Sequence, residues 1–203
     1  MEYQIAQEPE AAPKRAVLLL HGRGSDEEDL LPLAGLFGSE AWTASLRAPY
    51  PFGPGYAWYG LSADGGANVG QFQESVDGVS RFVDQISDRF SIPVFVLGFS
   101  QGGLMAAQVA LVRSGRGLGG ILVLSAPPPP VAVEPGRLQD FPVFWAHGLK
   151  DPVVPWERGQ RMHETLQASG ADLASHRYPM GHTIVNEEID DIRRWMHQRL
   201  GKN

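Results

Sequence analysis

Ser100 is the residue of this chain best placed to act as a nucleophile. It is the serine of a G-x-S-x-G pattern that runs from Gly98 to Gly102. The apolar run Val94–Leu97 before it predicts a buried strand, and the residues after Gly102 favour a helix. In that context the hydroxyl is exposed on a sharp turn suited to acyl transfer. A plain glycine-rich turn between a strand and a helix is the alternative, and the pattern alone leaves it open.

A nucleophilic serine also needs a base and a carboxylate that orients the base. In open parallel sheets such groups lie beyond the carboxyl ends of the strands. Asp151 follows the predicted strand Val143–His147, and His182 follows the predicted strand Leu173–Tyr178, so both meet this condition. For Asp151 the competing role is an Asx turn before Pro152.

The other acidic residues and histidines fit this edge of the sheet less well. Those that precede a strand, lie within one or lie on a predicted helix are Asp140, Asp172, His176, His163 and His197. His147 ends a strand beside a glycine, where we expect packing or a local hydrogen bond. The remaining order Ser100, Asp151, His182 is the order in which α/β-hydrolases present their catalytic triad.

Two backbone amides are candidates for an oxyanion hole, which would stabilise the negative oxygen of a tetrahedral intermediate. One is the amide of Gln101, the residue after the nucleophile. The second is the amide of Arg23, in the segment His21–Gly24 that follows an early strand. A phosphate-binding glycine loop is the alternative for this segment. That alternative is weak because Glu27 replaces the last glycine of the pattern and no lysine follows.

The elements that must position these residues alternate between short apolar runs and longer helical patterns, which is typical of a parallel α/β sheet. We therefore predict an α/β-hydrolase fold, a mostly parallel central sheet with helices on both faces, as a single domain over residues 1–203. The predicted strands are Val17–Leu20, Ser45–Ala48, Val94–Phe99, Ile121–Leu124, Val143–His147 and Leu173–Tyr178. The predicted helices are Asp29–Phe37, Val76–Phe90, Gly103–Arg113, Trp156–Ala168 and Asn186–Leu200. Residues Pro49–Gln73 predict a long irregular loop of the kind that forms lids or binding walls.

Composition excludes several other classes of function. The 203 residues carry a net charge of −6 and no block of basic residues, so nucleic acid is not an expected partner. No apolar run approaches the length of a membrane span. The absence of cysteine excludes disulfides and thiolate metal sites, and with a polar N-terminus it predicts a cytoplasmic location. A homodimer is left open.

The chain resembles the phospholipase/carboxylesterase family, small α/β-hydrolases that include the acyl-protein thioesterases. The segments that carry the resemblance are His21–Gly24, Gly98–Gly103, His147–Pro155 and Met180–His182. The resemblance implies hydrolysis of a small-molecule ester without cofactor or metal, with Ser100, Asp151 and His182 as the triad and the amides of Arg23 and Gln101 as the oxyanion hole. A thioesterase or lysophospholipase with the same triad is the nearest alternative. A catalytically silent binding module is another.

Two departures from the family pattern concern the substrate. Arg23 stands where relatives often have an apolar residue, and Ala57–Gly60 reads Ala-Trp-Tyr-Gly where many have Trp-Phe-Asp. A cation beside the oxyanion hole would favour anionic esters, whereas pairing of Arg23 with Asp26 or Glu27 would leave it no such role. The predicted walls of the acyl site are Trp58, Tyr59, Leu61, Phe72, Val153 and Trp156.

Overall fold

A central sheet of seven strands organises the computed structural model, which describes residues 1–63 and 66–200. The strands of the chain are β1 (Tyr3–Gln7), β2 (Arg15–Leu20), β3 (Ala41–Leu46), β4 (Tyr50–Phe52), β5 (Gly55–Ala57), β6 (Val94–Phe99), β7 (Leu118–Leu124), β8 (Pro142–Gly148) and β9 (Asp172–Tyr178). The helices are α1 (Val69–Phe90), α2 (Gln101–Arg113), α3 (Trp156–Ala168) and α4 (Asn186–Leu200), with a 3-10 helix over Leu31–Phe37.

The strand order in the sheet is β1-β3-β2-β6-β7-β8-β9. β1 runs antiparallel to β3, and every other neighbouring pair in this sheet is parallel. β4 and β5 form a separate antiparallel hairpin. Because the parallel strands point the same way, the loops that follow β2, β6, β8 and β9 emerge at one edge. The predicted triad and oxyanion residues lie in or directly beside those four loops, whereas the predicted wall residues of the segment 58–72 do not.

Helices cover both faces of the sheet, and each face has its own apolar core. α1, α2 and α3 contribute to one core, for example through Val79, Met105 and Met162. The 3-10 helix and α4 contribute to the other, through Phe37 and Trp195. All six residues of β2 are buried, and the strand is apolar from Ala16 to Leu20 because neither of its faces meets water. The predicted fold class is confirmed.

The predicted elements agree best where the pattern was strongest. Val94–Phe99, Trp156–Ala168 and Asn186–Leu200 are observed with the predicted bounds. The strand predicted at Ser45–Ala48 instead begins at Ala41 and ends at Leu46, because it pairs along its whole length with β2. The helix predicted from Asp29 is a 3-10 helix that begins one residue before Pro32.

The prediction of a long irregular loop was wrong, and the edge strand β1 was not predicted. Residues Pro49–Gln73 contain the β4–β5 hairpin, and α1 begins at Val69 after Asn68, whose side chain accepts a hydrogen bond from the Gln71 N–H. Residues 64–65 of this segment lie outside the described residues. The polar N-terminus forms β1 at an edge of the sheet, where Tyr3 and Ile5 remain 44% and 42% exposed. In the sequence, the alternation of Tyr3 and Ile5 with other residues could have indicated an edge strand.

Candidate active site

Ser100 lies on a sharp turn between β6 and α2. Its backbone has φ 55° and ψ −115°, a conformation that L residues rarely adopt, and its N–H donates to the Leu124 carbonyl (2.8 Å). The turn is tight enough to require glycine on both sides. A Cβ at Gly98 would lie 2.0 Å from the Gly102 carbonyl oxygen, and one at Gly102 would lie 2.0 Å from the Leu20 carbonyl oxygen. The G-x-S-x-G pattern therefore reflects close backbone approach.

Asp151 lies in the loop between β8 and α3, with its side chain fully buried. Its Oδ1 accepts hydrogen bonds from the N–H groups of Val153 and Val154, each at 2.8 Å. Its Oδ2 lies 2.7 Å from Nδ1 of His182. The Asx turn and the contact with the histidine are thus both present, one on each carboxylate oxygen. The turn fixes the direction in which Oδ2 points.

His182 lies in the loop between β9 and α4 and connects the other two residues. With a proton on Nδ1, the ring donates to Asp151 Oδ2 (2.7 Å), and its Nε2 accepts from the Ser100 hydroxyl (2.9 Å). The ring of Phe99 packs against the imidazole with centroids 4.8 Å apart. Three side chains far apart in the sequence therefore converge at the carboxyl edge of the sheet, in the geometry that general-base activation of a serine requires.

His147 supports the loop that carries Asp151. It is fully buried, and its Nε2–H donates to the Val154 carbonyl (2.8 Å) while lying 3.8 Å from Asp151 Oδ2. Burial lowers the pKa of His147, so the ring is neutral at pH 7. Its local hydrogen bond was expected from the sequence. The proximity to the buried carboxylate was not.

The two predicted oxyanion amides are free to bind an anion. Among the described residues, neither the N–H of Arg23 nor that of Gln101 has a hydrogen-bond acceptor. Gln101 is the first residue of α2, so its amide is one of those that a helix leaves unpaired at its positive end. The neighbouring loop is close, since a Cβ placed on Gly22 would lie 3.5 Å from Cβ of Ser100.

A buried hydrogen-bond network connects the segments that carry these two amides. The Gln101 side chain accepts from the Trp58 N–H (2.8 Å) and donates to the Tyr59 carbonyl (2.8 Å). The Trp58 indole N–H in turn donates to the His21 carbonyl (2.9 Å). The sequence pattern did not indicate this network, because nothing in it pairs residues 21, 58 and 101.

The His21 ring fixes the same loop from its other side. Its Nδ1–H donates to the Gly22 carbonyl (2.7 Å), and its Nε2 accepts from the Ala48 N–H (3.1 Å). Only a neutral ring can make both contacts, and burial lowers the pKa of His21, which keeps it neutral. His21 therefore acts as a fixed support beside the Arg23 amide.

Comparison with known proteins agrees with this geometry. The sequence profile described as phospholipase/carboxylesterase matches residues 53–200. The chain belongs to this family. It is similar to a probable carboxylesterase from Oryza sativa subsp. japonica, with 29% identity over 209 residues that cover 92% of this chain and 88% of that one. The predicted family and the predicted function class, a carboxylic ester hydrolase, are confirmed.

Two further similar proteins are a sequence relative and a solved structure. An acyl-protein thioesterase 1 from Gibberella zeae is 37% identical over 110 residues, which cover 51% of this chain and 46% of that protein. The crystal structure of a Bacillus cereus carboxylesterase superposes with a TM-score of 0.86 at 24% identity, covering 98% of this chain and 94% of that chain. The second comparison supports the fold.

The residues predicted to wall the acyl site divide into three groups. Trp58 and Phe72 are 0% and 2% exposed and belong to the core under α1, so their side chains present no surface to a substrate, and this part of the prediction is corrected. Leu61 and Val153 are exposed, and Trp156 is half-buried against Trp145. Tyr59 is 6% exposed. For the last four residues contact with a substrate stays a prediction.

An apolar groove of about 380 Å³ runs beside His182 and was not predicted. Its apolar lining is formed by Leu30, Pro32, Leu33, Phe99, Ile184 and Ile189, and Asp29 lies at its margin. The apolar residues that follow the candidate oxyanion loop, Leu30 to Leu33, were the sequence feature that could have indicated this groove. A larger groove of about 790 Å³ lies near Arg47 and Phe82, and no triad residue lines it.

Metal sites and membrane spans are absent from the part of the chain that the structure describes. No group of three or more histidine, cysteine, aspartate or glutamate side chains is arranged to hold a metal ion there. Within the same residues, no helix combines the length and the apolar character needed to cross a bilayer.

Proposed function

We propose that Ser100, Asp151 and His182 form a catalytic triad that hydrolyses carboxylic esters through an acyl-enzyme intermediate. The observation that carries the proposal is the position of the His182 ring, whose two nitrogens lie 2.7 Å from Asp151 Oδ2 and 2.9 Å from Ser100 Oγ. The His147 ring also lies near Asp151 Oδ2, but at 3.8 Å, and its Nε2–H donates instead to the Val154 carbonyl.

In the first half of the reaction His182 Nε2 takes the proton of the Ser100 hydroxyl as Oγ attacks the ester carbonyl carbon. The amides of Arg23 and Gln101 stabilise the oxyanion that forms. Asp151 stays ionised, holds the Nδ1–H tautomer and stabilises the imidazolium. As the carbon–oxygen bond of the ester breaks, His182 gives its proton to the leaving alcohol and the acyl group remains on Ser100.

In the second half a water molecule takes the place of the alcohol. His182 removes a proton from it, the hydroxide attacks the acyl carbon, and the same two amides stabilise the second tetrahedral intermediate. Collapse of that intermediate returns the proton to Ser100 Oγ and releases a carboxylic acid. No redox change or metal is needed for either half.

The substrate we propose is a small-molecule ester whose apolar part lies in the groove beside His182. The lining of that groove is apolar and its margin includes the base itself, which places bound apolar atoms next to the reacting bond. Thioester hydrolysis is the second candidate, because the relative from Gibberella zeae carries the name acyl-protein thioesterase. The cytoplasmic location and the homodimer stay predictions.

The decisive experiment is covalent labelling with a fluorophosphonate, followed by intact-mass measurement and peptide mapping. We expect one adduct on Ser100, none in Ser100→Ala, and a fall in kcat of that variant on the order of 10⁶. Ser125→Ala is the matched control, since Ser125 also has a positive φ at the end of a central strand but has no hydrogen-bond partner on Oγ.

Retention of label in Ser100→Ala, or residual activity within tenfold of the unaltered protein, would refute the assignment of the nucleophile. A protein that neither reacts with fluorophosphonate nor hydrolyses any p-nitrophenyl ester would instead be a binding module on the hydrolase fold. A thioester turned over faster than its matched ester would favour the second candidate.

A further inference from the structure

Arg23 has no carboxylate partner, although two carboxylates are close to it in the sequence. Its guanidinium lies over the Phe52 ring, with Cζ 3.9 Å from the ring centroid. Glu27 forms its ion pair with Arg47, and Asp26 accepts a backbone N–H two residues further on (3.0 Å). Among the described residues no ion pair of Arg23 is formed, so the pairing with Asp26 or Glu27 considered as an alternative is not observed.

The position of Arg23 relative to the nucleophile is fixed by the residue before it. A Cβ built on Gly22 would lie 3.5 Å from Ser100 Cβ, so the backbone immediately before Arg23 runs close to the serine side chain. The Arg23 side chain leaves from this point toward the β4–β5 hairpin, where Phe52 supports its flat face. Stacking on an aromatic ring leaves the edge of a guanidinium free to donate hydrogen bonds.

Arg158, in the first turn of the helix that follows the Asp151 loop, is a second cation for which the described residues provide no carboxylate partner. It is exposed. The first turn of α3 packs closely against the end of β8, since a Cβ on Gly159 would lie 2.5 Å from the His147 ring. The backbone that carries Arg158 is therefore fixed next to the strand that precedes the Asp151 loop.

Tyr59 lies within the electrostatic range of both cations. Its carbonyl accepts the hydrogen bond from the Gln101 side chain, which places Tyr59 next to the residue after the nucleophile. Burial raises the pKa of Tyr59 to about 12, and the positive charges of Arg158 and Arg23 both act against that rise. Both guanidinium groups are thus near enough to a single phenol to affect its ionisation.

We propose that Arg23 and Arg158 form an anion-binding rim, and that the substrate is an ester carrying a second, anionic group such as a carboxylate. This proposal rests on the proposed ester hydrolysis and names its substrate class. The chain as a whole has a net charge of −6, so two unpaired cations beside the nucleophile oppose the overall charge. Asp29 is among the residues that line the groove beside His182, and its carboxylate disfavours a second negative charge there, so we assign the anionic part of the ester to the arginines.

The test compares two esters that differ in one charge, mono-p-nitrophenyl adipate and p-nitrophenyl hexanoate, which share a leaving group and an acyl chain length. The quantity measured is the ratio of kcat/KM for the anionic ester to that for the neutral one. We expect the ratio to fall about 3- to 10-fold in each of Arg23→Gln and Arg158→Gln, and further in the double variant. Arg161→Gln is the matched control, because Arg161 also lies on α3 but lines a different surface beside Pro128.

Ionic strength provides an independent measure. Since both guanidinium groups are solvent-exposed, the ratio for the unaltered protein should decrease as salt rises from about 0.01 M to about 1 M, and the double variant should show little of this dependence. A ratio that stays within twofold of the unaltered value in both single variants would overturn the proposal. So would an equal fall in Arg161→Gln, which would show a general charge effect.

The result separates this proposal from the function on which it depends. If the unaltered protein hydrolyses neither ester and Ser100 does not react with fluorophosphonate, ester hydrolysis itself is refuted. If both esters are hydrolysed and the ratio is insensitive to the two arginines, only the anion-binding rim is refuted.

Discussion

Replacing Gln101 by methionine tests whether the side chain after the nucleophile keeps the oxyanion hole in shape. Methionine has a similar length but makes neither the contact to the Trp58 N–H nor the one to the Tyr59 carbonyl. The backbone amide of residue 101, which we assign to the oxyanion hole, is retained. The substitution removes the hydrogen bonds from α2 to the segment of Trp58 and Tyr59. Through its indole N–H, that segment is in turn bonded to the His21 carbonyl.

The expected magnitude follows from the two backbone groups that the substitution leaves unpaired. Leaving a buried donor or acceptor unsatisfied costs about 1–3 kcal/mol, so the loss of both contacts in Gln101→Met should lower the free energy of unfolding by about 2–6 kcal/mol. Complete removal of one oxyanion donor costs about 2.7–4 kcal/mol of transition-state stabilisation. Loosening the support of a donor that is still present should cost less than that, on the order of a tenfold fall in kcat.

The assay must distinguish a catalytic effect from a loss of stability. Urea unfolding gives the stability, and steady-state kinetics at a temperature where every variant is folded gives kcat and KM. Gln108→Met is the matched control, because Gln108 is also buried on α2 but its Oε1 has no hydrogen-bond partner. Trp58→Phe deletes only the indole donor of the network and should lower kcat in the same direction.

Binding of a boronic acid, which mimics the tetrahedral intermediate, gives a further readout. Its affinity should fall together with kcat in Gln101→Met while KM changes little, since the network acts on groups that contact the oxyanion. A Gln101→Met variant that is less stable but has kcat within twofold of the unaltered protein would refute the reasoning. The side chain would then serve folding alone.

Two further predictions concern the triad and a buried carboxyl group. In Asp151→Asn the amide cannot hold the Nδ1–H tautomer of His182, so kcat should fall about 10⁴-fold with little change in KM, and full activity would exclude Asp151 as the orienting acid. Burial raises the pKa of Glu188 to about 8, so the folded chain keeps a proton that the unfolded chain releases. Stability should therefore fall as the pH rises from about 4.5 to about 8, by up to about 1.4 kcal/mol per pH unit. Urea unfolding at several pH values should show a flatter profile in Glu188→Gln, and an unchanged profile would contradict the assignment.

Ser100 and Asp151 could be located from the sequence because each follows an apolar run typical of a strand buried on both faces. His182 instead follows the edge strand β9, and the Pro-Met-Gly turn before it was the signal. Strands buried on both faces, such as β6, have a clear sequence pattern, and in parallel sheets their ends meet at one edge. The sequence therefore carries the approximate location of each residue without any contact being known. The hydrogen bonds of His182 depend only on that convergence.

The substrate side of the site could not be predicted in the same way, because it depends on tertiary packing. Trp58 stands in an aromatic, glycine-rich stretch that resembles a binding wall, yet it is fully buried because its indole N–H finds the His21 carbonyl. The apolar groove arises between the 3-10 helix and the start of α4, two elements far apart in the chain. No local sequence pattern encodes the contact between these two elements. Arg23 likewise has no ion pair with Glu27 among the described residues because Glu27 pairs with Arg47.

Three histidines lie at or just after the carboxyl ends of parallel strands, and their hydrogen bonds explain why only one is suited to be the base. His21 commits both ring nitrogens to backbone groups, and His147 donates from Nε2 to a backbone carbonyl while its Nδ1 finds no hydrogen-bond partner among the described residues. For both, burial lowers the pKa, so gaining a proton during a reaction is unfavourable. His182 alone places a carboxylate on one nitrogen and a hydroxyl on the other, so a proton taken from Ser100 creates a cation beside an anion already in place. The capacity of a histidine to act as the base in acyl transfer therefore depends on which groups are hydrogen-bonded to its two ring nitrogens.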